Sequence, residues 1–143
     1  MAMSARVTNA NGRIIAEKRN GQRRYHQHDA LGNTIALIDD AGTVTNTFSY
    51  WPYGELRTSV IGNLPTPFLY CGRWGYYTDT TGRIYVRART YRPVFTRWLT
   101  VDPLWPWESA YGYGDAGPIG FTDPSGTRIT PFGCCLLYTS RRG

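Results

Sequence analysis

The chain has 143 residues, 15% aromatic and 18% charged, with 16 Gly and 9 Pro, and a formal charge of +6 in which every basic residue but Lys18 is Arg. The apolar content argues against disorder, the Gly and Pro argue against long helices, and the length allows one modest core. No apolar run approaches the ~18 residues of a membrane-crossing helix. The opening MAMSARVTNANG has no apolar segment behind its Arg, so no signal peptide is expected.

Along the chain an Asx-x-x-Gly turn signature recurs: Asn9 to Gly12, Asp29 to Gly32, Asp39 to Gly42, Asp79 to Gly82 and Asp123 to Gly126. The Asx side chain bonds the backbone ahead of it, and Gly accepts the positive φ that closes such a turn. After Gly42, alternation places Val44, Asn46, Phe48 and Tyr50 on one strand face. After Gly82 it places Ile84, Val86, Ala88 and Thr90 on one face, and Tyr85, Arg87, Arg89 and Tyr91 on the other. These loosely spaced units read as repeated β-hairpins that need neighbours to bury their faces, an all-β, repeat-built fold. Residues 1–66 read as the hairpin repeats and 67–127 as a denser aromatic unit. Residues 128–143 form a tail without the repeat signature, expected to be unstructured.

Arg suits stacking on aromatic rings and forked bonds to carboxylates or phosphates. Charge alone motivates a nucleic-acid partner, but Arg128, Arg141 and Arg142 of the tail supply half of the +6. What remains is Arg interleaved with Tyr, which packs across sheets. Cys71 stands alone and Cys134 and Cys135 are adjacent, so neither a disulfide framework nor zinc spacing is evident. His26 and His28, two apart on one strand face, lack a convincing third ligand and read as surface residues. No triad or phosphate loop is present, and no metal or cofactor is expected.

The stretch PFLYCGRWGYYTDTTGRIYVRARTYRPVFTRWLTVDPLWPWESAYGYGDAGPIGFTDPSG, residues 67–126, resembles the core domain associated with Rhs repeats in bacterial Rhs/YD-repeat proteins. The preceding YHQHDALGNTIALIDDAGTVTNTFSYWPYGE resembles YD repeats. The most specific parts are TGRIYVRARTYRP, the Arg97-to-Pro103 segment and the closing Asp-Pro-Ser-Gly. Two departures from the family pattern are Arg92, where an Asp is usual, and Tyr113 to Pro118, where Tyr-Val-Asn-Asn-Pro is usual. The resemblance implies a hollow shell wound from β-hairpins and closed by the core domain as a plug. A variable C-terminal passenger, often a toxin, is held inside. This chain is expected to be the C-terminal piece of such a polymorphic-toxin-type protein, secreted or at the cell surface. Its expected partners are the passenger and, further, secretion machinery or glycans. The ending CCLLYTSRRG also resembles translated sequencing adaptor.

Asp102 and Asp123 each precede Pro, which restricts them to extended backbone and fixes where the carboxylates point. Two carboxylates within ~3 Å share a proton and can activate water. From the residues alone, the alternative is a pair of Asp-Pro turns with Asp102 bonded to Arg97 or another Arg. The resemblance implies an aspartyl-type pair that cuts the chain itself, assisted by Arg97, between Thr127 and Arg128. Trp98, Trp105 and Trp107 flank Asp102 and are expected to form the plug core. The Tyr85–Tyr91 face could instead stack sugar rings, giving the rival reading of a carbohydrate-binding adhesion module.

Overall fold

A computed structural model describes residues 5–57 and 65–131. Its first sheet is an antiparallel meander of five strands in chain order: β1 (Ala5–Ala10), β2 (Arg13–Arg19), β3 (Gln22–His28), β4 (Thr34–Ile38) and β5 (Val44–Thr47). A second sheet carries β6 (Tyr77–Thr78), β7 (Ile84–Val86), β8 (Arg89–Arg92) and β9 (Arg97–Trp98), again in sequence order. β10 (Phe121–Thr122) pairs with β11 (Thr130–Pro131), so the chain keeps regular structure past residue 127. The rest of the tail, with Cys134 and Cys135, lies outside the described residues. Among the described residues there is no α-helix, only three single-turn 3-10 segments, and the all-β reading holds.

The turn signature works as expected at four of its five positions. Gly32, Gly42, Gly82 and Gly126 each donate their N–H to the carbonyl of the Asp three residues before. Asp39 Oδ1 also accepts from Ala41 and Thr43, and Asp79 Oδ1 from Thr81 and Arg83. Burial alone would raise the Asp79 carboxyl, but these donors outweigh it and hold it at about 2. The first signature differs. The β1–β2 hairpin closes on the adjacent Asn11 and Gly12, both at positive φ, as does β2–β3 on Asn20 and Gly21. Two-residue Asn-Gly turns match the twist of paired strands, which explains their use here.

Two expected faces do not form. Val44 is 53% exposed while Phe48 is buried, because the β4–β5 register shifts between Leu37 and Ile38. The single strand expected from Ile84 to Tyr91 is a hairpin instead. Val86 pairs with Arg89 across Arg87 and Ala88, with Arg87 at φ 41°. The reversal turns Arg89 and Tyr91 inward with Ile84 and Val86, while Tyr85 stays 43% exposed.

Tyr70, Cys71, Tyr76, Ile84, Val86, Tyr91, Trp98 and Tyr113 form the main core, with a smaller cluster of Leu37, Phe48 and Leu69. The Tyr91 and Tyr113 rings stack at 4.1 Å. Burial pushes the Tyr50, Tyr70, Tyr76, Tyr91 and Tyr113 phenols far above their ordinary value. Two of the phenol tips are tied to distant backbone carbonyls: Tyr50 donates to that of Thr34 at 2.6 Å, and Tyr91 to that of Tyr53 at 2.7 Å. Of the expected plug tryptophans only Trp98 is buried; Trp105 is 57% and Trp107 86% exposed. They sit on the turns after Asp102, where no other described residue covers them.

Residues 65–74 dock on the inner face of the first sheet. Thr34 donates its N–H to Leu69 and its hydroxyl to Phe68, and Arg24 reaches the Pro65 carbonyl. His26 is buried beneath this segment rather than at the surface, and His28 is half-buried.

Candidate active site

The two Asp-Pro carboxylates meet on one guanidinium. Arg89 places Nη1 2.7 Å from Asp102 Oδ2 and Nη2 3.1 Å from Asp123 Oδ2. All three side chains are at most 3% exposed. The Trp98 indole lies under the guanidinium, 4.1 Å from its carbon, and closes that side to water. A planar fork with five donors suits this double bridge, since each carboxylate can take a different edge.

Local structure aims each group. The turn at Arg87 and Ala88 sends Arg89 inward at the first position of β8. Asp102 follows β9, and its Oδ1 accepts from the Leu104 N–H at 2.8 Å, which holds the carboxylate over its own turn. Asp123 follows β10, and its N–H donates to the Tyr76 hydroxyl at 2.9 Å. The hairpin tip grips the Asp123–Gly126 turn, because Ala88 and Arg87 both donate to its carbonyls. Gly126 lies at φ 75°, where a Cβ would run into the Val86 carbonyl and the amides of Ala88 and Arg89.

The bond expected to be cut lies on this cluster. Asp123 Oδ1 accepts the N–H of Thr127 at 3.1 Å and of Arg128 at 3.0 Å. Ser125 Oγ donates to the same oxygen at 3.0 Å and accepts from both amides. Arg89 Nε donates to the Gly126 carbonyl, so the residue joining the carboxylates also holds the backbone one peptide ahead of the Thr127–Arg128 bond.

Arg97 does not join the site. It is exposed, with its guanidinium over the Tyr111 ring at 5.1 Å. Asp102 pairs with another Arg, Arg89, which also reaches Asp123, and Tyr76 and Ser125 are further residues that sequence reasoning missed. The signal for Arg89 was its place immediately after a two-residue reversal, which unbroken alternation conceals. The expected Tyr85–Tyr91 sugar-stacking face is split: Tyr91 is 0% exposed inside the aromatic core, and Tyr85 alone faces out.

A meander of short antiparallel hairpins, continued into an aromatic unit with a closing Asp-Pro turn, is the architecture of a YD-repeat shell. Residues 4–116 match the family model for the teneurin YD-shell, and the chain belongs to that family. It is 25% identical over 122 residues to the tRNA3(Ser)-specific nuclease WapA of Bacillus spizizenii, which covers 80% of this chain and 5% of that protein. It is 29% identical over 119 residues to the double-stranded DNA deaminase toxin A of Burkholderia cenocepacia, covering 79% of this chain and 8% of the other. The fold is similar to that in the crystal structure of TcdB2-TccC3-Cdc42, with a TM-score of 0.74 and 22% identity over 87% of this chain and 6% of that one. The chain thus spans less than a tenth of the length of each of these proteins. The chain is thus a stretch of YD-shell, of the Rhs-repeat kind that its sequence resembles.

Proposed function

We propose that the chain is part of a shell enclosing a C-terminal passenger, and that Asp102, Asp123 and Arg89 release the passenger by cutting between Thr127 and Arg128. Residues 1–66 supply wall and 67–127 the closing plug, in a protein that acts outside the cell. One observation carries the cleavage reading: the Arg128 amide, the leaving group of that bond, lies 3.0 Å from Asp123 Oδ1. Hydrolysis adds water to the Thr127 carbonyl carbon, breaks the bond to the Arg128 nitrogen, and requires that nitrogen to gain a proton. At rest Asp123 Oδ1 accepts the Arg128 N–H and holds the bond. On this reading Asp102 takes the proton of the attacking water, and Asp123, once protonated, gives one to the nitrogen after the carbonyl carbon turns tetrahedral and frees its lone pair. Arg89 is the positioning residue for both. The passenger reading is supported by the relatives. One region resembles both a tRNA nuclease and a DNA deaminase, so neither activity belongs to the region itself.

Expression of the longer protein with its natural C-terminal extension, followed by intact-mass measurement, tests this. A product ending at Thr127 is expected, lost in Asp123→Asn and Asp102→Asn and retained in Arg97→Met. An uncut wild-type chain, or cutting unaffected by Asp123→Asn, overturns the cleavage reading.

A further inference from the structure

The inner face of the first sheet buries ionisable groups that the cleavage site does not use. Glu17 on β2 pairs with Arg24 on β3, so Glu17 shares a face with Arg24, His26 and His28. The Glu17 side chain is 1% exposed and that of His26 0%, with His26 Nε2 3.9 Å from Glu17 Oε1. Neither carboxyl oxygen of Glu17, nor Nε2 of His26 or His28, has a hydrogen-bond partner among the described residues. Thr66 stands beside the carboxyl without closing a bond of ordinary geometry. Thr34 already donates its hydroxyl to the Phe68 carbonyl, so toward His26 Nδ1, 3.5 Å away, it can only accept. This assigns the ring proton of neutral His26 to Nδ1 and leaves the Nε2 lone pair facing Glu17. That lone pair is the position at which His26 takes up a second proton.

The charges around the cluster are mostly positive. Arg19 Nη2 lies 3.6 Å from Glu17 Oε2, and Arg24 flanks the same carboxyl. His28 faces Arg73 from the 3-10 segment Gly72–Trp74, and Asp29 from the turn after β3. Residues 65–68 contribute Thr66, β4 contributes Thr34 and Leu37, and β1 sets Val7 opposite Glu17, none of them charged. Among the described residues, the anions that further positive charge could meet here are Glu17 and Asp29.

We propose that Glu17, His26 and His28 form an acid-operated clasp: protons added to the two imidazoles as pH falls part the β2–β3 face from residues 65–74 and loosen the shell wall. Burial, assisted by the neighbouring charge of His28 for His26 and of Arg73 for His28, holds both imidazoles at about 4 in the folded chain. Free imidazoles protonate near 6.5, so the unfolded chain binds more protons between about 6.5 and 4, and native stability falls as pH drops through that window. Glu17 acts in the opposite sense. Burial raises its carboxyl, so its contribution is present at low pH and lost as pH rises above its unfolded value. Two imidazoles against one carboxyl leave acid as the opening arm.

The Thr34 amide, bonded to the Leu69 carbonyl across the clasp, reports its opening. Hydrogen exchange of the full chain is measured at pH 7 and 5 at Thr34, relative to Leu99, whose amide is bonded within the second sheet. The ratio cancels the intrinsic pH dependence of exchange. It is expected to rise at least about tenfold at pH 5, since each linked proton changes an opening constant up to tenfold per pH unit. The double variant His26→Gln, His28→Gln is expected to flatten that rise. Where this variant does not fold, NMR titration of the wild-type imidazoles decides, with midpoints below 5.5 expected. A constant Thr34-to-Leu99 ratio, or imidazole midpoints at 6.5 or above, overturns the proposal.

Discussion

Arg89→Met separates the bridging role of this residue from generic packing. Methionine keeps most of the apolar stem, so the change removes chiefly the guanidinium from between Asp102 and Asp123. Truncating one partner of a buried ion pair costs about 3–5 kcal/mol, because the remaining charge is left without compensation. Here two carboxylates lose their partner together, along with a cation–π contact to Trp98 at 4.1 Å, of a kind worth up to about 2 kcal/mol when desolvated. The terms overlap, so the expected loss is about 4 kcal/mol rather than their sum. At about 2 kcal/mol per molar of urea, the unfolding midpoint falls by about 2 M. Arg97→Met is the matched control: an exposed Arg over Tyr111, expected to change stability by about 0.5 kcal/mol. Arg89→Lys keeps a charge but cannot fork to two carboxylates, and falls between the two. A loss below about 1 kcal/mol for Arg89→Met, or equal losses for the Arg89 and Arg97 variants, refutes the bridge.

Gly126→Ala forces a side chain into left-handed backbone at φ 75° and against the Val86 carbonyl. An expected cost of about 2–4 kcal/mol combines the conformational and overpacking penalties. Gly75→Ala, at φ 88° with no atom within 4 Å of the added Cβ, costs only the conformational part, about 1–2 kcal/mol; equal urea midpoints for the two variants would refute the close approach. The buried phenols of Tyr50, Tyr70, Tyr76, Tyr91 and Tyr113 are raised in the folded state, so their stability contribution is full below pH 10 and lost as pH climbs above it. Each adds about 1.4 kcal/mol of destabilisation per pH unit above 10. Absorbance titration is expected to show them ionising together in one step with unfolding, and independent ionisation near 10 would contradict their burial.

Turn chemistry was the most legible layer of this sequence, because an Asp carboxylate and a glycine act on the backbone within four residues. Asp29, Asp39, Asp79 and Asp123 therefore fall where reading predicts. Asp102 and Asp123 were also legible as a pair, since Pro103 and Pro124 fix the approach of each. What joins them was not. Arg87 and Ala88 make a two-residue reversal without Gly or Asn, so alternation over 84–91 reads as one strand and misplaces Arg89 and Tyr91. Arg97 stands closer to Asp102 in sequence, but its position on β9 directs it to Tyr111 and solvent. Trp105 and Trp107 mislead for a related reason. Aromatic residues signal burial only where a second layer exists to cover them. The burial of His26 depends on residues 65–74 arriving from far along the chain, which no local period records.

The tyrosine core also sets dimensions. An aliphatic core fixes volume but lets packed layers slide, whereas a phenol that bonds a distant oxygen or amide fixes a length as well. Tyr50 joins β4 to the chain after β5, Tyr91 ties β8 to residue 53, and Tyr76 receives the amide of Asp123, 47 residues away. Each ring serves as a rod of fixed length between a strand and a distant loop, so the spacing of successive hairpin layers is gauged by the reach of a side chain. The Asp123–Gly126 turn hangs from one of these rods, and the bond after Thr127 inherits its position from Tyr76.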